Sequence, residues 1–160
     1  MKIKKNLIVQ IQEIITQARE NAVRSIDFER VLMYWKIGEV IFVEEQGEKE
    51  RADYGSFLIK TLAKELQPQY GSGFSKRQLY FCLQLFKTFR NVNALRSQLN
   101  WTQYKLLIRI DSEKKRQFYI AESVKNNWSA RQLERQINSY KNLLPSSKEI
   151  SNKINKYFSE

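Results

Sequence analysis

The sequence has no histidine and only one cysteine, Cys82, among its 160 residues. The absence of histidine excludes Ser-His-Asp triads, zincin sites and histidine-dependent nuclease motifs, and a single cysteine cannot complete a zinc finger. One cysteine also cannot form a disulfide within the chain, which indicates a reducing compartment and predicts a cytoplasmic protein. Any catalysis would have to use carboxylate, lysine, arginine or tyrosine side chains. These residue types form no constellation with a plausible catalytic role in the sequence. We therefore predict no catalytic residue, no metal site and no cofactor.

Long apolar runs are also missing, and glycine and proline are scarce, with five and two residues. No apolar run approaches the roughly 18 residues that a membrane-spanning helix needs. The basic start, Met1 to Ile15, has polar residues at helical intervals between its apolar ones, which is typical of an amphipathic helix and not of a signal peptide. The missing apolar run predicts no membrane partner. Long stretches with a 3.6-residue period, without sustained two-residue alternation, predict an all-α protein of about eight helices.

The chain is strongly basic, and its charge is unevenly distributed. It has 28 Lys and Arg against 17 Asp and Glu, a net charge of +11. Residues 1–80 have 13 basic and 11 acidic side chains, whereas residues 81–160 have 15 and 6. A field of one sign concentrated in half of a small protein attracts polyanions, of which nucleic acid is the commonest in a cell. The alternative is a solvated basic surface that has no partner.

Two amphipathic helices are predicted at the N-terminus. The first runs from about Lys4 to Arg24, and Asp27 is the predicted cap of the second, which ends at Gly47. We expect the two helices to form an antiparallel hairpin. The hairpin is too acidic to lie on DNA, and its acidic segment Glu39–Glu50 also supports a protein-interaction module. We therefore predict that the hairpin dimerises, which makes the chain a homo-oligomer through its N-terminal helices.

A glycine-rich stretch, YGSGFSKRQLYF, follows a third helix that is predicted to end near Gln67. A phosphate-binding loop would need a preceding strand and a Gly-Lys-Ser/Thr ending, and the stretch has neither. Ser75 and Gln78 have the spacing of a capping box, which predicts that a fourth helix begins here and runs to about Phe89. We expect the glycines to turn the chain and Gly73 to hold a positive φ angle. Two helices joined in this way form a helix-turn-helix unit or an ordinary helical corner, and the sequence leaves both open.

The C-terminal half contains a second strong helix, from Ala130 to about Leu143, whose start repeats the capping-box spacing at Ser129 and Gln132. The polar, weakly periodic segment Asn91–Asn100 is the predicted boundary before it. We therefore predict an N-terminal subdomain (1–90) made of the hairpin and a helix-turn-helix-like unit, a basic helical subdomain (98–144), and a short helix or tail (145–160). One compact domain overall is the alternative.

The polar faces of the two strong helices supply the candidate DNA-binding residues. The cations would neutralise phosphates, and the glutamines could contact base edges. They are Lys76, Arg77, Gln78, Gln84, Lys87 and Arg90 on the first helix, and Arg131, Gln132, Arg135 and Gln136 on the second. A formal nuclease triplet, Glu113-Lys114-Lys115, falls in the first turn of a predicted helix. Because acids followed by lysines are ordinary at a helix start, we assign this triplet no catalytic role.

A set of short motifs extends over about residues 15–144. They are Tyr34-Trp35 with Ile37-Gly38, Glu45-Gln46-Gly47, Ala52 with Tyr54-Gly55, Gly71, Gly73-Phe74-Ser75, Leu99 with Trp101, and Trp128-Ser129 with Arg131 and Leu133 to Arg135. In combination they resemble the N-terminal domain of the YhcG family of bacterial proteins.

The resemblance implies a helical, helix-turn-helix-like domain that in relatives precedes a PD-(D/E)XK nuclease domain, which would carry the metal-dependent cutting. The chain ends at Glu160, before such a domain could begin, so we expect an excised piece or a naturally short member. The leading hypothesis is a non-catalytic module that binds duplex DNA and positions a nuclease domain in full-length relatives. The alternative is a protein-interaction or dimerisation module that does not bind nucleic acid.

Overall fold

The computed structural model describes residues 5–48, 53–142, 152 and 154–156. All regular structure in this part of the chain is helical, which confirms the all-α class. The helices are α1 (Lys5–Gly47), α2 (Tyr54–Tyr70), α3 (Lys76–Thr88), α4 (Trp101–Leu107), α5 (Glu113–Lys125) and α6 (Ala130–Asn142), with short 3₁₀ helices at Ser72–Phe74 and Val92–Ala94. Of the short helix or tail predicted for 145–160, residues 154–156 are helical and Asn152 is described. The rest of that prediction lies outside the described residues.

The first helix corrects the prediction for the N-terminus. The expected hairpin is wrong, because residues 5–47 form one continuous helix of 43 residues, about 65 Å long at 1.5 Å per residue. The expected break at Asp27 rested on its preference for helix caps. No glycine or proline occurs between Lys5 and Ile37, and an aspartate inside a helix costs only a fraction of a kcal/mol. Nothing in this stretch therefore stops the helix.

The two halves of α1 have different environments. From Val31 onward one side of the helix is buried, with Val31, Tyr34, Trp35 and Ile41 in the core, and this half packs mainly along α3. Every residue from 6 to 26 is exposed, including the isoleucines and valines of that stretch. The C-terminal half of α1 therefore belongs to the folded body, whereas the N-terminal half extends from it.

The core is organised around α3, which packs on α1, α2 and α4. Its buried residues belong to two apolar clusters, a large one shared with α1, α4, α5 and α6 and a small one shared with α1 and α2. The indole of Trp35 on α1 donates a hydrogen bond of 2.6 Å to the carbonyl oxygen of Phe89, at the end of α3. The large cluster includes residues from both sides of the boundary predicted at Asn91–Asn100. This favours the single-domain alternative, and the division itself stays a prediction.

The turn between α2 and α3 departs from expectation in detail. Pro68 lies inside α2, which continues to Tyr70, and the helix ends where Gly71 adopts φ 93° and ψ −168°. Gly71, and not Gly73, is the glycine with positive φ in the described chain. Ser75 caps α3 as predicted, because its hydroxyl accepts a hydrogen bond from the Gln78 amide at 3.2 Å.

Replacing Gly71 with alanine is expected to lower the free energy of unfolding by about 1.5 kcal/mol, since only glycine adopts this backbone conformation without strain. An added methyl group would contact nothing within 4 Å, so the cost is conformational and not steric. Urea unfolding followed by circular dichroism measures it. The matched control is Gly47→Ala, where the added methyl also contacts nothing within 4 Å and φ is not positive. Equal stability of the two variants would contradict the assignment.

None of the helices in the described segments is both long and apolar enough to span a membrane. The long α1 does not qualify because polar and charged side chains recur along it.

Candidate nucleic-acid interface

The start of α3 presents basic and aromatic side chains to solvent. Lys76 and Arg77, in the first turn, are exposed, and one turn further Tyr80 is 52% exposed. The opposite side of the helix is buried in the core. This arrangement follows from the sequence pattern, because positions three and four residues apart share a face and the apolar ones turn toward α1. The exposed side of α3 is therefore both cationic and aromatic.

A groove of about 470 Å³ runs between α3 and α2. Its α3 wall is formed by Lys76, Arg77, Tyr80, Leu83 and Lys87, and its other wall by Gly55, Ser56 and Ile59 of α2 with Glu45 of α1. We call it the α2–α3 groove. Three cations against one carboxylate make its lining positive.

Within the groove the cations differ in their partners. The ammonium nitrogen of Lys87 lies 3.9 Å from the Glu45 carboxylate, a salt bridge between two partly exposed side chains. In the described segments, no acidic side chain lies within 4.0 Å of Lys76 or Arg77. The two cations at the start of α3 are therefore available to a phosphate, whereas Lys87 is partly neutralised.

An additional arginine extends this surface. The guanidinium carbons of Arg77 and Arg109 lie 5.7 and 5.6 Å from the centre of the same ring, Phe81. Arg109 follows α4 in the sequence and is exposed. The sequence did not indicate Arg109, because this residue falls in a connection outside the two strong helices. No local pattern pointed to its approach to α3.

The other α3 candidates are less open. The amide nitrogen of Gln78 is buried and makes no hydrogen bond of ordinary geometry in the described chain. It lies beside the Tyr34 hydroxyl, whose pKa burial raises, while Gln78 opposes that rise. Position 78 is four residues before the buried Cys82 and seven before the buried Leu85, a spacing that could have indicated its inward direction. Gln84 is partly buried.

Arg90, just beyond α3, is exposed but already stacked. Its guanidinium carbon lies 4.2 Å from the ring centre of Phe42 and 5.2 Å from that of Phe86. Contacts of this kind leave the edge of a guanidinium free to donate hydrogen bonds while fixing its plane. Arg90 is thus a positioned cation beside α1.

The second candidate surface lies on α6. Arg131 and Arg135 are exposed and line a shallow depression of about 420 Å³ together with Glu134, Asn138 and Ser139. Gln132 is exposed, but its carbonyl oxygen accepts a 2.8 Å hydrogen bond from the Ser129 amide, which completes the predicted capping box. Gln136 is partly buried. The two arginines are therefore the most accessible α6 candidates.

The structure arranges the ten predicted residues into two groups. α3 packs on α1, α2 and α4, whereas α6 packs on α4 and α5, so that α4 connects the two surfaces. The α2–α3 groove and the depression on α6 share no lining residue. That the two form one continuous binding surface stays a prediction.

The Glu113-Lys114-Lys115 triplet lies on a helix and not on a strand. Glu113 is the first residue of α5, which agrees with the helical position predicted for the Glu113-Lys114-Lys115 triplet. No group of three Asp, Glu or Cys side chains in the segments 5–48 and 53–142 is arranged to hold a metal ion.

The chain was compared with protein-family models, curated proteins and solved structures, and two of these comparisons gave a match. The model of the DUF1016 N-terminal domain matches residues 10–142. A curated protein of Escherichia coli (strain K12), named "Putative nuclease YhcG", is 30% identical over 159 residues. That match covers 79% of the present chain and 42% of the relative, so the chain corresponds to less than half of the relative's length. No solved structure matches the chain significantly.

Proposed function

Because the chain belongs to the DUF1016 N-terminal domain family and is similar to a relative named "Putative nuclease YhcG", we propose that it is a non-catalytic module that binds duplex DNA. In full-length relatives the module would position a nuclease domain. The observation that carries the proposal is the exposed start of α3, where Lys76 and Arg77 have no acidic partner in the described chain. We also propose a cytoplasmic location, on the strength of the single buried cysteine.

The α2–α3 pair supports a helix-turn-helix mode of binding. In such units the first residues of the second helix enter the major groove, while the first helix crosses the backbone. Here the second helix is α3, and its first turn presents Lys76 and Arg77, with Tyr80 one turn on. Gln78 and Leu79 in the same turn face inward. The proposed contacts of Lys76 and Arg77 are therefore to phosphates, and Tyr80 is the proposed contact to a base or sugar.

Removing the two cations should reduce both the affinity and its dependence on salt. Each phosphate contact contributes about 0.9 to the slope of log K against log salt concentration. The double variant Lys76→Ala with Arg77→Ala should therefore lose roughly 1.8 from the slope, and about tenfold or more in affinity at low salt. The measurement is fluorescence anisotropy with a labelled duplex of random sequence across a salt series.

The matched control is Lys114→Ala with Lys115→Ala, which removes the same charge from two exposed lysines at the start of α5. If the control loses as much slope as the α3 variant, the binding reflects total charge and not a site. The variant Arg131→Ala with Arg135→Ala tests α6 in the same assay, and unchanged affinity would remove α6 from the binding surface. Absence of duplex binding by the unaltered chain at low salt would refute the proposed function.

A second proposal concerns the exposed half of α1. Residues 6–26 present a series of apolar side chains that are exposed in the described chain, and helices in proteins owe most of their stability to the packing of such a face. We propose that this stretch associates with a second copy of the chain, as the predicted homo-oligomer requires. Light scattering coupled to gel filtration tests this association independently of DNA, because a monomer at all concentrations would exclude it.

A further inference from the structure

The exposed half of α1 has a stripe of isoleucines and small residues that forms a size gradient. Its members recur at alternating intervals of three and four residues, the spacing of a coiled-coil seam. They are Ile8, Ile11, Ile15, Ala18, Ala22 and Ser25. The three isoleucines lie toward the N-terminal end of α1, and the three small residues lie toward the folded body. All six are exposed in the single chain.

The gradient distinguishes the two directions in which two such helices can pair. In a parallel pair, equal residues face each other, so isoleucines meet isoleucines at one end and alanine and serine leave a gap at the other. In an antiparallel pair, Ile8 faces Ser25 of the second copy, Ile11 faces Ala22, and Ile15 faces Ala18. Each layer then has one large and one small side chain, which keeps the helix separation constant and fills the seam evenly.

Flanking positions are compatible with this arrangement. Beside the seam, Gln12 would lie near Arg19 of the second copy, and Ile14 near Asn21. The acidic residues of the stretch, Glu13 and Glu20, fall on the side of α1 opposite the seam. No like charges therefore face each other across the interface.

Charge in the rest of the chain also favours the antiparallel direction. Residues 27–160 contain 23 basic and 15 acidic side chains. Parallel pairing would bring two such positively charged bodies together at one end of the pair, and their repulsion would oppose association. Antiparallel pairing places the bodies at opposite ends of a segment about 32 Å long, three or four Debye lengths apart at physiological salt.

We propose that the exposed half of α1 pairs with the same stretch of a second copy in the antiparallel direction, with the two-fold axis between Thr16 and Gln17. This inference rests on the proposed self-association of α1 and adds its direction and register. It is independent of DNA binding.

Disulfide cross-linking between single-cysteine variants tests the direction. One preparation contains Ile8→Cys, and a second, carrying a mass tag, contains Ser25→Cys. After mixing and equilibration in a glutathione buffer, the antiparallel register predicts a cross-link between the two different chains on a non-reducing gel. It predicts no Ile8→Cys homodimer, because these positions would lie about 25 Å apart along the axis.

The native cysteine does not interfere with this test. Cys82 is fully buried, and burial raises the pKa of its thiol to about 12, so its reactive thiolate is scarce. The unaltered chain is therefore the background control and should give no cross-link.

Each remaining outcome overturns the inference. An Ile8→Cys homodimer would show a parallel pair. A dimer by light scattering without any cross-link among the variants would place the interface elsewhere. A monomer at all concentrations would also remove the self-association on which the inference rests, while leaving the test of DNA binding by the α3 variants unaffected.

Discussion

Replacement of Gly38 by alanine is expected to lower the free energy of unfolding by about 3 kcal/mol, at the upper end of overpacking effects. A β-carbon at this position would lie 2.0 Å from the carbonyl oxygen of Cys82, 2.7 Å from its carbonyl carbon and 3.0 Å from the β-carbon of Phe86. The first two neighbours are backbone atoms inside α3, which cannot move aside without shifting the helix. The added methyl would therefore push α1 away from α3 at this contact.

The loss at Gly38 is measured by urea unfolding, and heat should show it as a fall in midpoint of about 6–12 °C for a chain of this size. Gly47→Ala is the matched control. It lies in the last turn of the same helix and its added methyl would meet no atom within 4 Å, so its stability should change by less than about 0.5 kcal/mol. A Gly38→Ala variant as stable as this control would mean that the two helices are not in contact as described.

Gln103→Ala is expected to cost about 2–3 kcal/mol, because it leaves two backbone groups without partners. The side-chain nitrogen of Gln103 donates to the Trp128 carbonyl oxygen at 2.6 Å, and its oxygen accepts from the Asn100 amide at 2.9 Å. Gln103 itself is buried, with 3% of its surface exposed. One side chain thus caps α4 and connects it to the residues that precede α6.

The control for this second prediction is Gln132→Ala, which removes a capping hydrogen bond of the same kind at an exposed position. Water can replace the lost partner there, so the expected cost is only about 0.5–1 kcal/mol. Denaturant unfolding of both variants compares them directly. Similar losses would show that burial at Gln103 contributes nothing and would refute the role assigned to it as a connection between α4 and α6.

The Gly38 contact bears on the candidate interface as well as on stability. α3 carries both the core residues that meet α1 and the exposed cations that line the α2–α3 groove. A variant that displaces α3 should therefore weaken DNA binding without removing any charge. For this reason the free energy of unfolding is measured beside the salt slope, because a displaced α3 lowers both, whereas removal of an exposed cation lowers mainly the slope.

Local signals in the sequence were enough to predict much of this protein. The helical period of the apolar residues predicted the all-α class, and the Ser75 and Ser129 caps marked the starts of α3 and α6. These features depend on residues three or four positions apart, which are neighbours in any helix whatever surrounds it. The motifs shared with the YhcG family predicted the family to which the chain belongs.

Other features depend on groups far apart in the chain, and only the tertiary structure decided them. The cap preference of Asp27 indicated a hairpin, yet nothing in the stretch stops the helix and α1 continues through it. Gln78 was a candidate base contact, but its amide is buried beside Tyr34. Arg109 approaches α3 through the ring of Phe81, although no local pattern indicated this contact. Local propensity determined which segments are helices. The contacts between helices, which no window of a few residues contains, determined which of their faces remain open to a partner.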